Sequence, residues 1–142
     1  KMGKMLKSKK LFMGILVALI TVFGLSQVGE AATKTFQIKF VRSAVEGKTA
    51  YSLANKSTSI FSNARIWNES KKGYNNSKHK YSIQLKEDKL FFGKAYNASF
   101  QTPAANTKKL GKISKGSYKV NITKHTYTAP GLGLKGTGKI KQ

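Results

Sequence analysis

Cysteine is absent from this sequence of 142 residues, and acidic residues are scarce, with five Asp and Glu against 27 Lys and Arg. The lack of cysteine excludes a disulfide framework, on which small secreted domains often rely. The scarcity of carboxylates leaves little material for general acid–base catalysis or for the paired acids of a glycosidase. The only adjacent acids, Glu87 and Asp88, stand in a polar segment between two predicted strands, where we expect a solvated turn.

The patterns that identify metal, nucleotide and serine-hydrolase sites are also missing. His79 and His125 are flanked by lysines and belong to no metal-binding spacing, and no GxSxG occurs. Residues 131–136 match GxGxxG and residues 133–139 match most of a phosphate-binding loop, but Ile140 replaces the Ser or Thr that would bind magnesium. No helical pattern follows. We therefore predict a glycine-rich strand lying close to its neighbour, a protein that is not an enzyme, and no catalytic residue, cofactor or metal site.

Residues 1–31 have the layout of a secretory signal peptide. Five lysines precede an uncharged stretch at 11–25, and small residues stand before a cleavage position after Ala31 or Ala32. These fifteen uncharged residues are fewer than the roughly 20 that a helix needs to cross a bilayer. We expect a secreted protein, extracellular or cell-wall associated and of bacterial type, whose functional part is a single cationic β domain at 32–142.

The charge of that domain predicts an anionic partner. Removal of residues 1–31 leaves 22 basic and four acidic residues, a net charge of +18 with both histidines neutral. Solubility asks for a net charge of only about 2–8. All the basic residues are lysines except Arg42 and Arg65. Because arginine supplies the planar fork used to read bases, the lysine bias argues against sequence-specific nucleic-acid binding and favours delocalised attraction to a polymer or a membrane.

The pattern after residue 32 predicts strands. Three segments alternate polar and apolar residues, at 36–40, 81–85 and 118–122, as expected for a sheet with one buried face. Weaker candidates lie at 49–54, 59–67, 90–100 and 131–140, with a break or bulge at Gly93 in the third. About 6–8 short strands imply an all-β fold, a small antiparallel β-sandwich or barrel.

Alternation also predicts which side chains are buried. The residues expected to point inward are Phe36, Ile38, Phe40, Tyr81, Ile83, Leu85, Tyr118, Val120 and Ile122. Those expected to point to solvent are Gln37, Lys39, Ser82, Gln84, Lys119 and Asn121. The segment at 101–117 shows only weak patterning, and we expect a long surface connection there.

The stretch at 65–81 combines the only tryptophan with two tyrosines and many lysines. Trp67 is predicted to end a strand, either capping the core or facing a ligand together with Tyr74, and a basic hairpin connection follows. The connection at 101–117 is also basic. If both lie at one end of the sandwich, they form a polyanion-binding surface built from Lys71, Lys72, Lys78, Lys80, Lys108, Lys109, Lys112 and Lys115.

These features predict a secreted, cationic, non-enzymatic protein that binds an anionic cell-envelope polymer, whether teichoic acid, anionic lipid or acidic polysaccharide. A lysine-rich signal before a small cysteine-free β domain also broadly resembles secreted cationic bacteriocins with a β fold, although no shared motif transfers residue roles. One alternative is therefore an antibacterial toxin acting on the envelope of a target cell. Another is an inhibitor or accessory protein docking on an acidic secreted partner, with the final strand pairing at an exposed sheet edge.

Overall fold

A computed structural model describes residues 33–126 and 128–142, in which all regular structure is β-strand. The predicted signal peptide lies outside the described residues. Ten strands form two five-stranded antiparallel sheets, and their core side chains belong to one cluster. The all-β prediction is confirmed, and the two separate sheets fit a sandwich rather than a barrel. The strand number exceeds the expected 6–8 because three strands contain only three residues each.

Each sheet takes strands from the whole length of the described chain. The first sheet contains β2 (Ala44–Glu46), β3 (Tyr51–Leu53), β6 (Lys80–Glu87), β7 (Ala95–Gln101) and β9 (Gly116–Lys124). In it, β6 lies between β7 and β9, while β2 and β3 both pair with the other edge of β9. The second sheet contains β1 (Thr33–Val41), β4 (Ser57–Asn68), β5 (Gly73–Asn75), β8 (Ala105–Lys112) and β10 (Leu132–Lys141). In it, β10 lies between β1 and β4, while β5 and β8 both pair with the other edge of β4.

The three alternating segments are confirmed as strands, in β1, β6 and β9. Their predicted inward side chains are buried with one exception. Phe40 is only half-buried, and Val41 takes the core position at 1 % exposure. Two features of the backbone explain this: Phe40 has a φ of 44°, and the pairing of β1 with β10 shifts by one residue between Leu134 and Gly136. Such a bulge changes the face on which the following side chain lies.

The solvent exposure of the residues predicted to point outward depends on the position of their strand in the sheet. Gln37 and Lys39 are exposed, whereas Ser82, Gln84, Lys119 and Asn121 are only partly exposed. The last four lie on β6 and β9, which have neighbours on both sides that cover part of each outward side chain.

The weaker strand predictions are accurate at 59–67, which lies within β4, and at 49–54, which contains β3. The prediction at 90–100 is wrong in its first half, because β7 begins only at Ala95 and residues 90–92 form an exposed bend. The connection predicted at 101–117 is also wrong, since the strand β8 occupies its middle. Seven of the eight β8 residues are exposed, so the sequence of this strand does not alternate between polar and apolar residues. The strand is held by backbone pairing with β4.

The glycine-rich segment is the interior strand β10, not a nucleotide loop. A Cβ atom at Gly136 would lie 2.1 Å from the backbone oxygen of Asn63, and one at Gly138 would lie 2.2 Å from the Phe36 ring. The glycines therefore let β4 and the Phe36 ring approach β10 closely. Because β10 pairs on both sides, it presents no free edge, and the prediction that it pairs with a partner's sheet edge is wrong.

Candidate functional site

The charge of the described residues is divided unequally between the sheets. The five strands of the second sheet contain no acidic residue. Their basic residues are Lys34, Lys39, Arg65, Lys108, Lys109, Lys112, Lys135, Lys139 and Lys141. Glu46 and Glu87 lie on the first sheet and Asp88 directly follows it, while Glu69 directly follows β4 of the second sheet. The strands of the second sheet thus concentrate positive charge without an acid of their own, and a field of one sign raises the local concentration of anions.

Aromatic rings are interleaved with these cations on the outer face of β4, β5 and β10. On β4 the odd-numbered residues point outward, because Ile60, Ser62, Ala64 and Ile66 are buried. Side chains directly opposite each other in a sheet share a face, which places Lys139 beside Phe61, Lys135 beside Arg65, and Tyr74 beside Trp67. We call the surface formed by Phe61, Arg65, Trp67, Tyr74, Lys135, Lys139 and Lys141 the aromatic–cationic face.

A basic side chain lies over each aromatic ring on this face. The Nζ atom of Lys135 lies 4.2 Å from the centroid of Trp67, and the Cζ atom of Arg65 lies 4.7 Å from that of Tyr74. The Phe61 centroid is approached by Lys139 at 5.8 Å and Lys141 at 5.4 Å. Cation–π contacts at exposed sites contribute roughly 0.5–1 kcal/mol each. They place the basic groups next to the rings, so charges and aromatic surface occur together on this face.

Trp67 is fixed on the surface and does not cap the core. It is half-buried and packs edge-on against Tyr74, with 4.9 Å between ring centroids. Its Nε1 donates to Oε1 of Glu69 at 3.0 Å, and Glu69 accepts from Lys72 at 2.5 Å. The hydrogen bond from Lys72 is the main cause that holds the pKa of Glu69 below its ordinary value. Of the two interpretations of Trp67, the structure therefore supports the surface one.

The eight lysines predicted in the two basic connections do not meet at one end of the sandwich. Lys71 and Lys72 lie in the turn after Asn68, at the end of β4, whereas Lys112 pairs with Ser57 at its beginning. A strand of twelve residues separates them by about 37 Å. Lys115 lies in the turn before β9.

One smaller group of these lysines does form, and a single further lysine joins the aromatic–cationic face. Lys78, Lys80 and Lys108 line one shallow groove of about 550 Å³. Lys109 lies opposite Ser59, whose other neighbour is Lys141, so Lys109 extends the aromatic–cationic face onto β8.

Most of the aromatic–cationic face cannot be recognised from the pattern of the sequence. Phe61, Arg65, Lys135, Lys139 and Lys141 were not singled out, because they come from strands far apart in the chain. One signal could have found them: the predicted strands at 36–40, 59–67 and 131–140 contain lysine or arginine and no acid.

The two histidines lie at one end of the first sheet, and each is within hydrogen-bond distance of a different hydroxyl group. The Nδ1 atom of His79 lies 2.6 Å from Oγ1 of Thr126, and Nε2 of His125 lies 2.6 Å from Oγ of Ser82. Nearby, the buried Lys124 donates to the carbonyl of Thr126. Burial lowers the pKa of Lys124, and burial together with the charge of Lys124 lowers the pKa of His79. These contacts hold the last residues of β9 in place.

The prediction that both Glu87 and Asp88 lie in a solvated turn holds only for Asp88. Asp88 is exposed, 3.6 Å from the ammonium of Lys119, but Glu87 is buried rather than solvated. Its Oε1 accepts from the backbone N–H of Lys94 at 3.1 Å, and its Oε2 lies 3.4 Å from Nζ of Lys89. The backbone hydrogen bond is the main cause that lowers the pKa of Glu87. Glu87 thus closes the base of the loop before β7.

Within 33–126 and 128–142, no group of three or more His, Asp or Glu residues is placed to hold a metal ion. Nor does this part of the chain contain a helix long and apolar enough to span a membrane.

Comparison with known proteins assigns no family. No family profile matches the chain, and no curated protein matches it. Among solved structures, the chain is similar to a chain in the structure of infectious bursal disease virus, Gx strain. The TM-score is 0.38 and the identity 10 %, and the match covers 80 % of this chain and 32 % of that one. It is also similar to a family two carbohydrate esterase from Cellvibrio japonicus, with a TM-score of 0.29, 9 % identity, and coverage of 78 % and 34 %. The chain thus spans about a third of either structure, and likeness at this level assigns no function.

Proposed function

We propose that the protein is a secreted, non-enzymatic binder of an anionic cell-envelope polymer, a teichoic acid or an acidic polysaccharide, and that the aromatic–cationic face is the binding surface. The single observation that carries the proposal is the absence of any acidic residue from the five strands of the second sheet, which hold nine basic residues. Glu69, directly after β4, is the acidic residue beside this face, and Trp67 and Lys72 already donate to its carboxylate.

The shape of the face suits an extended ligand. Lys135, Lys139 and Lys141 follow one another along the outer side of β10, so their backbone positions cover about 20 Å. A second row on β4 contains Phe61 and Trp67, whose rings hold the ammonium groups of these lysines. The face extends over three paired strands, which favours a repeating polymer over a small molecule enclosed in a pocket.

Retention on isolated Gram-positive cell walls and on purified teichoic acid tests the proposal. We expect Lys135→Gln/Lys139→Gln/Lys141→Gln to weaken binding by about tenfold or more, because each cation near an anionic surface contributes about 1 kcal/mol. The matched control, Lys48→Gln/Lys56→Gln/Lys115→Gln, removes the same charge from exposed lysines outside the second sheet. Equal losses in the two variants would show that net charge, rather than this face, binds the polymer.

The salt dependence supplies a second readout. The logarithm of the affinity for a polyanion falls linearly with the logarithm of salt concentration, with a slope set by the number of charge contacts. The β10 variant should show a shallower slope than the wild type, whereas the control should keep the wild-type slope. Binding that is unchanged between low and physiological salt would refute the proposal.

A second candidate function is an antibacterial toxin that acts on the envelope of a target cell. The observation in its favour is a cluster of exposed apolar side chains, Leu90, Phe91 and Phe92, among lysines. Growth inhibition of related strains, together with dye leakage from anionic vesicles, is expected of a toxin. Polymer binding without either effect would favour the first function.

A further inference from the structure

The connection between β6 and β7 carries the most exposed large apolar side chains of the described residues. Leu90 is 88 % exposed, Phe91 70 % and Phe92 99 %. We call residues 90–92 the apolar tip. Soluble monomers seldom display three such side chains in succession, and contiguous apolar surface of this kind marks an interaction site.

The apolar tip projects from a fixed base. The backbone N–H of Glu87 donates to the carbonyl of Lys94 at 2.7 Å, and the N–H of Asp88 donates to the carbonyl of Ser117 at 2.7 Å. The buried carboxylate of Glu87 accepts from the N–H of Lys94. These bonds close the loop at its two ends and leave the segment between them free of the core. Phe92 adopts a left-handed backbone conformation, with a φ of 58°, that turns the chain back toward β7.

Lysines outnumber acids at the base of the apolar tip, where Glu87 and Asp88 pair with Lys89 and Lys119. Lys86 precedes it, with its Nζ beside Gly93, and Lys89 and Lys94 flank it directly in the sequence. Lys119 reaches the same loop through Asp88. An apolar end above a collar of lysines matches the interface of an anionic bilayer, where rings enter the acyl boundary and ammonium groups remain among the headgroups.

Charge argues for a lipid surface over a second copy of the chain. Two tips packed against each other would bring two lysine collars of the same sign together, within a protein whose described part is already strongly positive. An anionic bilayer offers both the apolar environment that the rings require and the charge that the collar attracts.

We propose that the apolar tip inserts into an anionic lipid surface and that the lysines at 86, 89 and 94 hold it there. The site is separate from the aromatic–cationic face: it lies on the first sheet, and its contacts involve no residue of that face. Membrane attachment therefore does not depend on the proposed polymer binding, and either one can fail without the other.

Cosedimentation of the protein with phosphatidylcholine vesicles, with and without phosphatidylglycerol, tests the proposal. The wild type should pellet with the vesicles that contain phosphatidylglycerol and remain soluble with neutral ones. Leu90→Ser/Phe91→Ser/Phe92→Ser keeps the charge and should weaken binding by about tenfold or more, because burial of each large apolar side chain contributes substantially to partition. Val45→Ser, which removes another exposed apolar side chain, should bind as the wild type does.

A fluorescent variant reports insertion directly. Trp67 is the only tryptophan, so Trp67→Phe/Phe92→Trp places the single reporter at the apolar tip. Its emission should shift to the blue on vesicles that contain phosphatidylglycerol, and brominated lipids should quench it. Vesicle binding without a blue shift or quenching would mean adsorption by charge alone and would overturn the proposal.

Two further outcomes would also overturn it. One is vesicle binding by the triple Ser variant at the wild-type level. The other is a wild-type dimer, detected by sedimentation without lipid, that the triple Ser variant converts to a monomer. Binding of the triple Ser variant to purified teichoic acid should equal that of the wild type, which separates the result from the fate of the polymer proposal.

Discussion

The hydroxyl oxygen of Tyr81 lies 2.7 Å from Oγ of Ser62, and both residues are fully buried. Tyr81 begins the alternating part of β6 in the first sheet, and Ser62 lies near the middle of β4 in the second. The bond therefore joins the sheets through the core. Burial raises the pKa of Tyr81, and the hydrogen bond from Ser62 opposes that rise.

We predict that Tyr81→Phe destabilises the fold by about 1–3 kcal/mol, because it leaves the Ser62 hydroxyl buried without this partner. Adding Ser62→Ala should recover part of the loss, since both polar groups are then removed. Urea unfolding of the two single variants and the double variant measures the coupling. Additive losses would show that the two hydroxyls do not interact in solution.

Ile83→Ala should lower the free energy of unfolding by about 2–4 kcal/mol, through lost burial and the cavity left behind. Ile83 is fully buried in the core shared by the two sheets. Lys39→Ala, on the exposed side of β1, should be close to neutral. Thermal or urea unfolding checks both, and a comparable loss in the two variants would contradict the assignment of inward and outward faces.

Gly138→Ala should destabilise the fold by about 1–3 kcal/mol, because the new methyl group would overlap the ring of Phe36 and force it to move. Thr137→Ala, one position away on the exposed side of the same strand, is the matched control and should cost less. Differential scanning calorimetry can compare them. A larger loss for Thr137→Ala would indicate a different register of β10 against β1.

Stability should fall in acid partly through Glu87. The pKa of this carboxyl in the folded protein lies below its ordinary value of 4.5, chiefly because it accepts the Lys94 backbone N–H. The stabilisation is therefore complete above pH 4.5 and is lost as pH falls through the lower, folded value. Glu87→Gln should flatten this part of the pH profile of urea unfolding, whereas Glu46→Gln, at an exposed site, should flatten it less. Identical profiles for both variants would refute the role of Glu87.

The sequence by itself determined the fold class, the high positive charge and most of the core. Alternation at 81–85 and 118–122 identified buried side chains correctly, because the two-residue period of a strand depends only on the local chain and on one apolar face. The same logic failed at Phe40, where a bulge induced by pairing with β10 changed the face. It also failed in β8, which gains its structure from the backbone of β4 and shows no pattern of its own.

Only the tertiary structure decided which charges and rings act together. Lys135 lies over Trp67 although 67 residues separate them in the chain, since the contact depends on the pairing of β10 with β4. Glu87 is buried and Leu90 exposed, the reverse of what their side chains favour, because backbone hydrogen bonds close the loop base around the carboxylate. Local composition carries no information about such contacts, because the residues that form them come together only when both sheets are folded.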